Sequence, residues 1–361
     1  MEEDAEFLFR FDPDFPIDDV EEIGRRLTES KALIPGWIVP EVGAFDIRAV
    51  VVAEHYDGWS TVLLPDRNII SRMARVAREG SVRMRDHPMD IAILLMAFAQ
   101  AVNFNIEPGL AFHELAQRES NQSALDELRW FRTADTGGYA REWIDLALDR
   151  KTTIAIVEAS AEKDVKLTAP IRRWRCNYVV AMKIAALELS AGEPADKLIA
   201  LLEWMNEDFL LAAPALIFAA RYWAPNLPRA GLIKYVRSPD RSRVLKGARN
   251  AAWDITYLSE FSRKVSKGVE KKEQIVLATG DRLLAEIAPI LLRGRESEER
   301  HPSLEETFSQ WWPAKFASRF CDAFFQAAEQ AAGRSRWNDE TQDPVDRFTH
   351  QFEKDLLASK P

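Results

Sequence analysis

The sequence predicts an α/β fold with a parallel sheet, interrupted by a long helical segment. Three observations predict it. Short apolar runs at 62–64, 104–106 and 275–278 each lead to an acid at or near a helix start. From about 120 to 225 the chain reads mostly as helix. Hydrophobic residues make up 47% of the 361 residues and charged residues 29%, the balance of a chain with a substantial core.

The elements follow in order. Residues 1–40 read as an acidic arm carrying Pro13, Pro16, Pro35 and Pro40, with one short helix within Ile17 to Leu33. Two strands are expected next, Ile47 to Ala53 and Thr61 to Leu64, joined by an Asp57-Gly58 hairpin turn. Ile69, Ile70, Met73, Val76 and Ala77 recur at helical spacing, and Gly80 suits the stop. Asp86 caps the following helix, with Pro88 in its first turn and an apolar body to Val102. Phe104 to Ile106 reads as a strand and Leu110 to Arg118 as a helix.

Further helices are expected over Ala140 to Leu148, Ile171 to Leu189, Ala195 to Met205 and Phe209 to Tyr222. Thr152 to Val157 is ambiguous and includes strand among its readings. Pro225 to Pro228 breaks the run. A long helix over Ser242 to Val265 is closed by Gly268. A charged loop, Glu270 to Glu273, then precedes the strand Ile275 to Ala278. Thr279-Gly280-Asp281 turns into a helix through Leu292. Ser303 to Ala331 and Pro344 to Leu357 read as amphipathic helices.

Charge and motif content narrow the function. A net charge of -9 repels phosphate backbones, so a nucleic-acid binder of this composition needs a local basic stripe. Arg229, Lys234, Arg237, Arg241, Arg243, Lys246 and Arg249 offer one; a solvated helix face is the equal alternative. Cys176 and Cys321 show neither metal-ligand spacing nor a disulfide framework. The acidic start and the short longest apolar run, Phe209 to Ala220, point to a soluble, cytoplasmic protein. Without a P-loop, a dinucleotide fingerprint or a nucleophile elbow, those three chemistries are disfavoured. Trp311-Trp312 and Phe316, Phe320, Phe324 and Phe325 read as core or oligomer packing before a base-stacking platform. His113 reads as structural before catalytic.

Acids placed at the carboxyl ends of separate strands can converge on one crevice. Val62-Leu63-Leu64 leads to Asp66 and Asn68, Phe104 to Ile106 leads to Glu114, and Ile275 to Ala278 leads to Asp281. Asp254 lies on the helix before the last strand, beside Trp253, Ile255 and Leu258. Four converging carboxylates need cations or protons to coexist, and Mg²⁺ takes such oxygen ligands. Taken singly, Asp66 and Asp281 read equally as helix caps, Glu114 as part of a solvated face, and Asp254 as a salt-bridge partner.

The ordered set resembles the PIN-domain family of metal-dependent nucleases. Its first acid is matched by Leu-Leu-Pro-Asp66-Arg-Asn68 and its second by Pro-Gly-Leu-Ala-Phe-His-Glu114-Leu. The third is matched by Ala-Ala-Trp-Asp254-Ile-Thr-Tyr-Leu, and the fourth by Thr279-Gly280-Asp281. The resemblance implies a three-layer α/β core with a parallel sheet over 41–120 and 240–295. Residues 1–40 would be an arm, 121–239 a helical insertion and 296–361 a C-terminal helical segment. It further implies a metal-dependent endonuclease favouring single-stranded RNA and leaving a 5′-phosphate. Asp66, Glu114, Asp254 and Asp281 would be the catalytic carboxylates and would bind Mg²⁺ or Mn²⁺, with Asn68 and Thr279 as supports. Arg241, Arg243, Lys246 and Arg249 are the candidate nucleic-acid contacts. A toxin or phage-defence effector, with a regulatory protein partner or a homo-oligomer, fits the same resemblance. Arg67 stands where a small residue is usual, and Arg282, Leu283 and Leu284 follow Asp281 in place of a further acid. The alternative is therefore a catalytically degenerate interaction protein on the same fold.

Overall fold

Among the described residues, four strands form one mixed sheet, in the spatial order first, fourth, second, third. They are β1 (Leu33–Pro35), β2 (Ser60–Pro65), β3 (Asn105–Ile106) and β4 (Glu273–Ala278). The computed structural model describes residues 11–36, 45–155, 165–228, 231, 233–294, 302–332 and 344–359. β2 and β4 run parallel, with Val62 beside Ile275 and Leu64 beside Leu277. β3 is parallel to β2, whereas β1 is antiparallel to β4. The expected all-parallel sheet thus holds for three strands and fails at one edge. β1 is three residues long and ends in Pro35, which an edge strand tolerates because the ladder there needs no donor on its open side.

The central strands are apolar on both sides because helices cover both faces. Leu63, Val276 and Ala278 join a core with α1 (Ile17–Ser30), α3 (Arg67–Glu79), α4 (His87–Ala101) and α5 (Gly109–Arg118). Val62, Leu64, Ile275 and Leu277 join a second core. It includes α8 (Arg172–Leu189), α9 (Pro194–Glu207), α10 (Ala213–Trp223) and α11 (Arg241–Lys271). The helical segment divides between the two faces. α6 (Asn121–Asp135) packs on α3 and α7 (Ala140–Ala147) on α4, while α8 packs on α11.

The C-terminal helices α13 (Leu304–Phe308), α14 (Ala314–Ala332) and α15 (Pro344–Ala358) extend the second core. Trp311, Trp312, Phe320 and Phe324 are buried there, and the Trp312 indole donates to the Ala220 carbonyl at 3.2 Å. These aromatics are core. Among the described residues, no helix is long and apolar enough to cross a membrane.

Ile47 to Ala53 is not a strand. It forms α2 (Ile47–His55), capped by Asp46, whose side chain accepts from the Ala49 amide. Its Val-Ile content favours a strand, but the cap and a single buried face through Ile47 and Val50 select a helix. Asp57-Gly58 is accordingly no hairpin; Gly58, at φ +69°, turns the chain from α2 into β2. The long helix does not stop at Gly268 but runs to Lys271, so half of the expected charged loop is its last turn, Lys272 is its cap and Glu273 already begins β4. A Cβ at Gly268 would stand 2.4 Å from the Glu273 carbonyl, so this glycine serves the close return of the chain into β4. Thr152 to Val157 forms no named strand in its described part; Thr153 makes one isolated bridge to Ser81, and 156 and 157 lie outside the described residues. Arg229 also lies outside them.

Candidate active site

β2 ends at Pro65, and the next residue, Asp66, still pairs by donating its amide to the Ala278 carbonyl at 2.8 Å. Its side chain is buried and held at both oxygens. Oδ1 accepts from the Ile69 amide at 3.0 Å and so caps α3. Oδ2 accepts from the Thr279 hydroxyl at 2.6 Å. Thr279 stands at the end of β4, and its hydroxyl oxygen also accepts from the Asp281 amide at 3.0 Å. Asp281 in turn caps α12 (Arg282–Ile287), its Oδ1 accepting from the Leu283 and Leu284 amides. Both strand-end acids are therefore caps, and both also line the cavity described next.

Glu114 projects from the second turn of α5 and is buried, not solvated. Its oxygens accept from Arg118 and from the Tyr257 hydroxyl, each at 3.4 Å. Asp254 comes from the middle of α11. Its carboxylate has no hydrogen bond and no ion pair among the described residues, so the salt-bridge reading fails. Asp66, Glu114, Asp254 and Asp281, from four separate elements, line one cavity of about 320 Å³. Asn68 lines it too, though its side chain holds none of the four acids; Thr279 does hold one.

Helix α11 sets one wall. Asn250, Asp254 and Tyr257 follow the 3–4 spacing that stacks side chains on one helix face. Gly247 continues that stripe. A Cβ there would lie 1.8 Å from the Lys234 carbonyl, so only glycine lets the segment around 234 cross the helix this closely. The crossing places Lys234 in the cavity lining. Arg67 and Arg118 line it as well, and Arg67 forks onto Glu127 of α6 at 2.5 and 2.9 Å.

The charges interact as their convergence requires. Burial pushes the Asp66 carboxyl upward, and Asp281 adds to the rise against the hydrogen bond from Thr279. Burial also raises Glu114, with Arg118 and Arg67 opposing and Asp66 adding. Asp254 is raised well above the usual carboxylate range, first by burial, then by Asp281, Glu114 and Asp66, with Lys234 opposing. The Tyr257 phenol is likewise pushed well up by burial and by Glu114, so it remains a hydrogen-bond donor.

The donor set fits a hard divalent cation by its chemistry. It is oxygen only, and both oxygens of Asp254 and Oδ2 of Asp281 accept no hydrogen bond among the described residues. As the side chains stand, no group of three or more His, Cys, Asp or Glu among the described residues is set closely enough to hold an ion.

The four candidate nucleic-acid contacts separate. Arg241 is buried and donates to the Ser359 and Ser238 carbonyls, on the side of α11 opposite Asn250. Arg249 faces α15 and α8, pairing with Glu353 at 3.3 Å over the Tyr178 ring. Neither is available to the cavity. Arg243 and Lys246, seven and four residues before Asn250, are exposed on the cavity stripe. His113 is structural, its Nδ1 standing 2.7 Å from the Leu167 carbonyl. A larger hollow of about 460 Å³ adjoins Thr279 and Gly280 from behind, near Lys31, His87 and Arg282, but the converging acids do not line it.

The sequence does not single out Tyr257, Asn250 or Arg118; Lys234 belongs to its basic stripe, and the fold brings it to the cavity. Tyr257 and Asn250 were legible as the i+3 and i−4 neighbours of Asp254. Arg118 was legible as the i+4 partner of Glu114. No family model matches the chain, and neither the curated proteins nor the solved structures include a significant match.

Proposed function

We propose that the chain is a PIN-like nuclease dependent on Mg²⁺ or Mn²⁺ that cleaves phosphodiester bonds, with single-stranded RNA as the favoured substrate. One observation carries the reading: four acids from four separate elements line one cavity beside the carboxyl ends of parallel strands. Residues 41–120 and 240–295 would then form a PIN-like three-layer core, joined by α1 and β1, which pack into it and are not a separate arm, with 121–239 inserted into it. Asp66, Glu114, Asp254 and Asp281 would hold the metal. A bound divalent cation supplies Lewis-acid stabilisation of phosphate charge and a more acidic water.

The chain's own residues do the rest. Thr279 fixes the rotamer of Asp66 and, through the Asp281 amide, the geometry of the β4 turn. Lys234 and Arg118 bring positive charge, and Asn250 a neutral amide, to the same cavity, where they can meet phosphate oxygens. Tyr257 holds Glu114 from the side of α11. A cytoplasmic toxin or phage-defence effector, restrained by a protein partner, is the setting this chemistry fits.

Metal binding is tested by thermal melting with Mn²⁺ and with EDTA. A cation that binds only the native state stabilises it by about 2.7 kcal/mol at a hundred times its dissociation constant. The wild-type chain should therefore melt higher in Mn²⁺ and Asp66→Asn should not. A shift of the same size in both would remove Asp66 from the metal site.

A second reading, a catalytically degenerate PIN-like interaction protein, draws on one observation. Cations already act on the acids, Arg118 and Arg67 on Glu114 and Lys234 on Asp254. On that reading Mn²⁺ changes neither melting nor cleavage.

A further inference from the structure

Tyr235 adjoins Lys234 in the segment that crosses α11, and it is unusual in three respects. Its backbone sits at φ 63°, in the left-handed region that residues other than glycine rarely adopt. The residue is 44% exposed, in a protein whose large side chains are mostly core. The Arg243 guanidinium lies over that ring, 4.3 Å from its centre. Strained backbone that holds an aromatic ring at the surface points toward a use for the ring.

The surroundings say what the ring meets. The Tyr235 carbonyl accepts from the Ser238 amide at 2.8 Å, which closes a turn and fixes the residue. Gly247 admits the preceding carbonyl against α11, so the turn cannot lift without losing that contact. The neighbouring Lys234 side chain lines the acid cavity. Arg243, Gly247, Asn250 and Asp254 form one stripe of α11, so the ring and guanidinium stand at the near end of a line that leads to the acids. Arg243 to Asp254 is eleven residues, about 16 Å of helix, a span of a few nucleotides. Arg237 of the same segment is engaged elsewhere, by Glu188.

We infer that Tyr235 and Arg243 form a stacking platform for an unpaired base a few nucleotides from the acid cavity, with Lys234 taking a phosphate between the two. Any base presents a π-face to an aromatic ring and a guanidinium, so the platform selects for single strands without selecting sequence. A base held in a duplex cannot reach it. The inference rests on the nuclease reading for its ligand class, single-stranded nucleic acid, but not for catalysis.

Binding of a fluorescein-labelled single-stranded RNA oligomer tests it, measured by anisotropy in Mn²⁺ on the full chain carrying Asp66→Asn to prevent cleavage. The same oligomer made abasic and the matching duplex are the comparison probes. Tyr235→Ala should weaken binding of the ordinary strand about tenfold, the worth of one stacked base, and leave the abasic strand unchanged. Tyr235→Trp should restore it. The melting temperature of each variant separates loss of stacking from loss of fold. Equal affinity of Tyr235→Ala and its parent for the ordinary strand would overturn the platform, as would equal loss on the abasic strand, or no binding by the parent. The platform and the nuclease reading fail separately: base-dependent binding without cleavage by wild-type protein sinks the second alone, and metal-dependent cleavage with equal strand affinity of Tyr235→Ala and its parent sinks the first alone.

Discussion

The hydroxyl of Thr279 donates to Oδ2 of Asp66 at 2.6 Å, joining the ends of β4 and β2 beside the acid cavity. Both groups are buried, and the same hydroxyl oxygen receives the Asp281 amide. One side chain thus sets two of the four acids. Thr279→Val keeps the shape and removes the donor. It should cost about 1–3 kcal/mol of stability, the usual worth of a buried hydrogen bond to a charged group. Thr279→Ser should recover most of that loss. Under the nuclease reading, Thr279→Val should also lower activity about 10–100-fold, as loss of a partner that orients a metal ligand does. Chemical denaturation and cleavage rates on the two variants check both.

Asp254 gives the opposite sign. Its carboxylate has no hydrogen bond or ion pair among the described residues and is opposed by three other acids against the charge of Lys234, so neutralising it should help the metal-free fold. Asp254→Asn should raise the metal-free melting temperature by about 2 °C or more, the shift that corresponds to roughly 1 kcal/mol in a chain of this size. It should also abolish Mn²⁺ stabilisation. A lower melting temperature in EDTA would mean that Asp254 has a partner stronger than the ones described.

The pH dependence follows from the same acids. Asp66, Glu114 and Asp254 titrate higher folded than unfolded. Between the ordinary carboxylate value and their folded values, the native chain therefore holds more protons than the unfolded chain. Stability must fall as pH rises through that window. Surface acids such as Asp86, held at about 2 chiefly by its hydrogen bond with Arg72, act in the opposite sense, but only below the ordinary carboxylate value. In EDTA the chain should melt higher at pH 5 than at pH 8, and Asp254→Asn should narrow the difference. A wild-type chain more stable at pH 8 would contradict this.

Gly247 supports the wall that carries Lys234. Gly247→Ala places a methyl 1.8 Å from a backbone carbonyl, which no rotamer change relieves. It should destabilise by about 1–3 kcal/mol, as overpacking does, and weaken nucleic-acid binding with it. Gly109→Ala, where a Cβ meets nothing within 4 Å, should leave both unchanged.

The site was legible because its signals are local. Asp66 and Asp281 each follow a short apolar strand and cap the next helix, and both acts leave a mark in sequence. Glu114 and Asp254 were found by their place in order, and the fold puts them on one cavity. What was missed depends on three dimensions. Ile47 to Ala53 carries strand-favouring residues, yet one buried face and the Asp46 cap make it a helix. β1 is too short to show a period and exists because β4 offers an edge. Arg241 and Arg249 read as one basic run with Arg243 and Lys246, and only their angles around α11 turn them away. Lys234 reaches the cavity through Gly247, a contact that spacing does not reveal.

The most direct test of the central claim is cleavage of labelled single-stranded RNA by purified protein, in Mn²⁺ and in EDTA, beside an Asp66→Asn, Asp281→Asn double variant. The expected result is cleavage that requires the metal and disappears in the variant, with 5′-phosphate ends on the products. A folded wild-type chain that binds Mn²⁺ and leaves both RNA and DNA intact would contradict it, as would equal cleavage by the double variant.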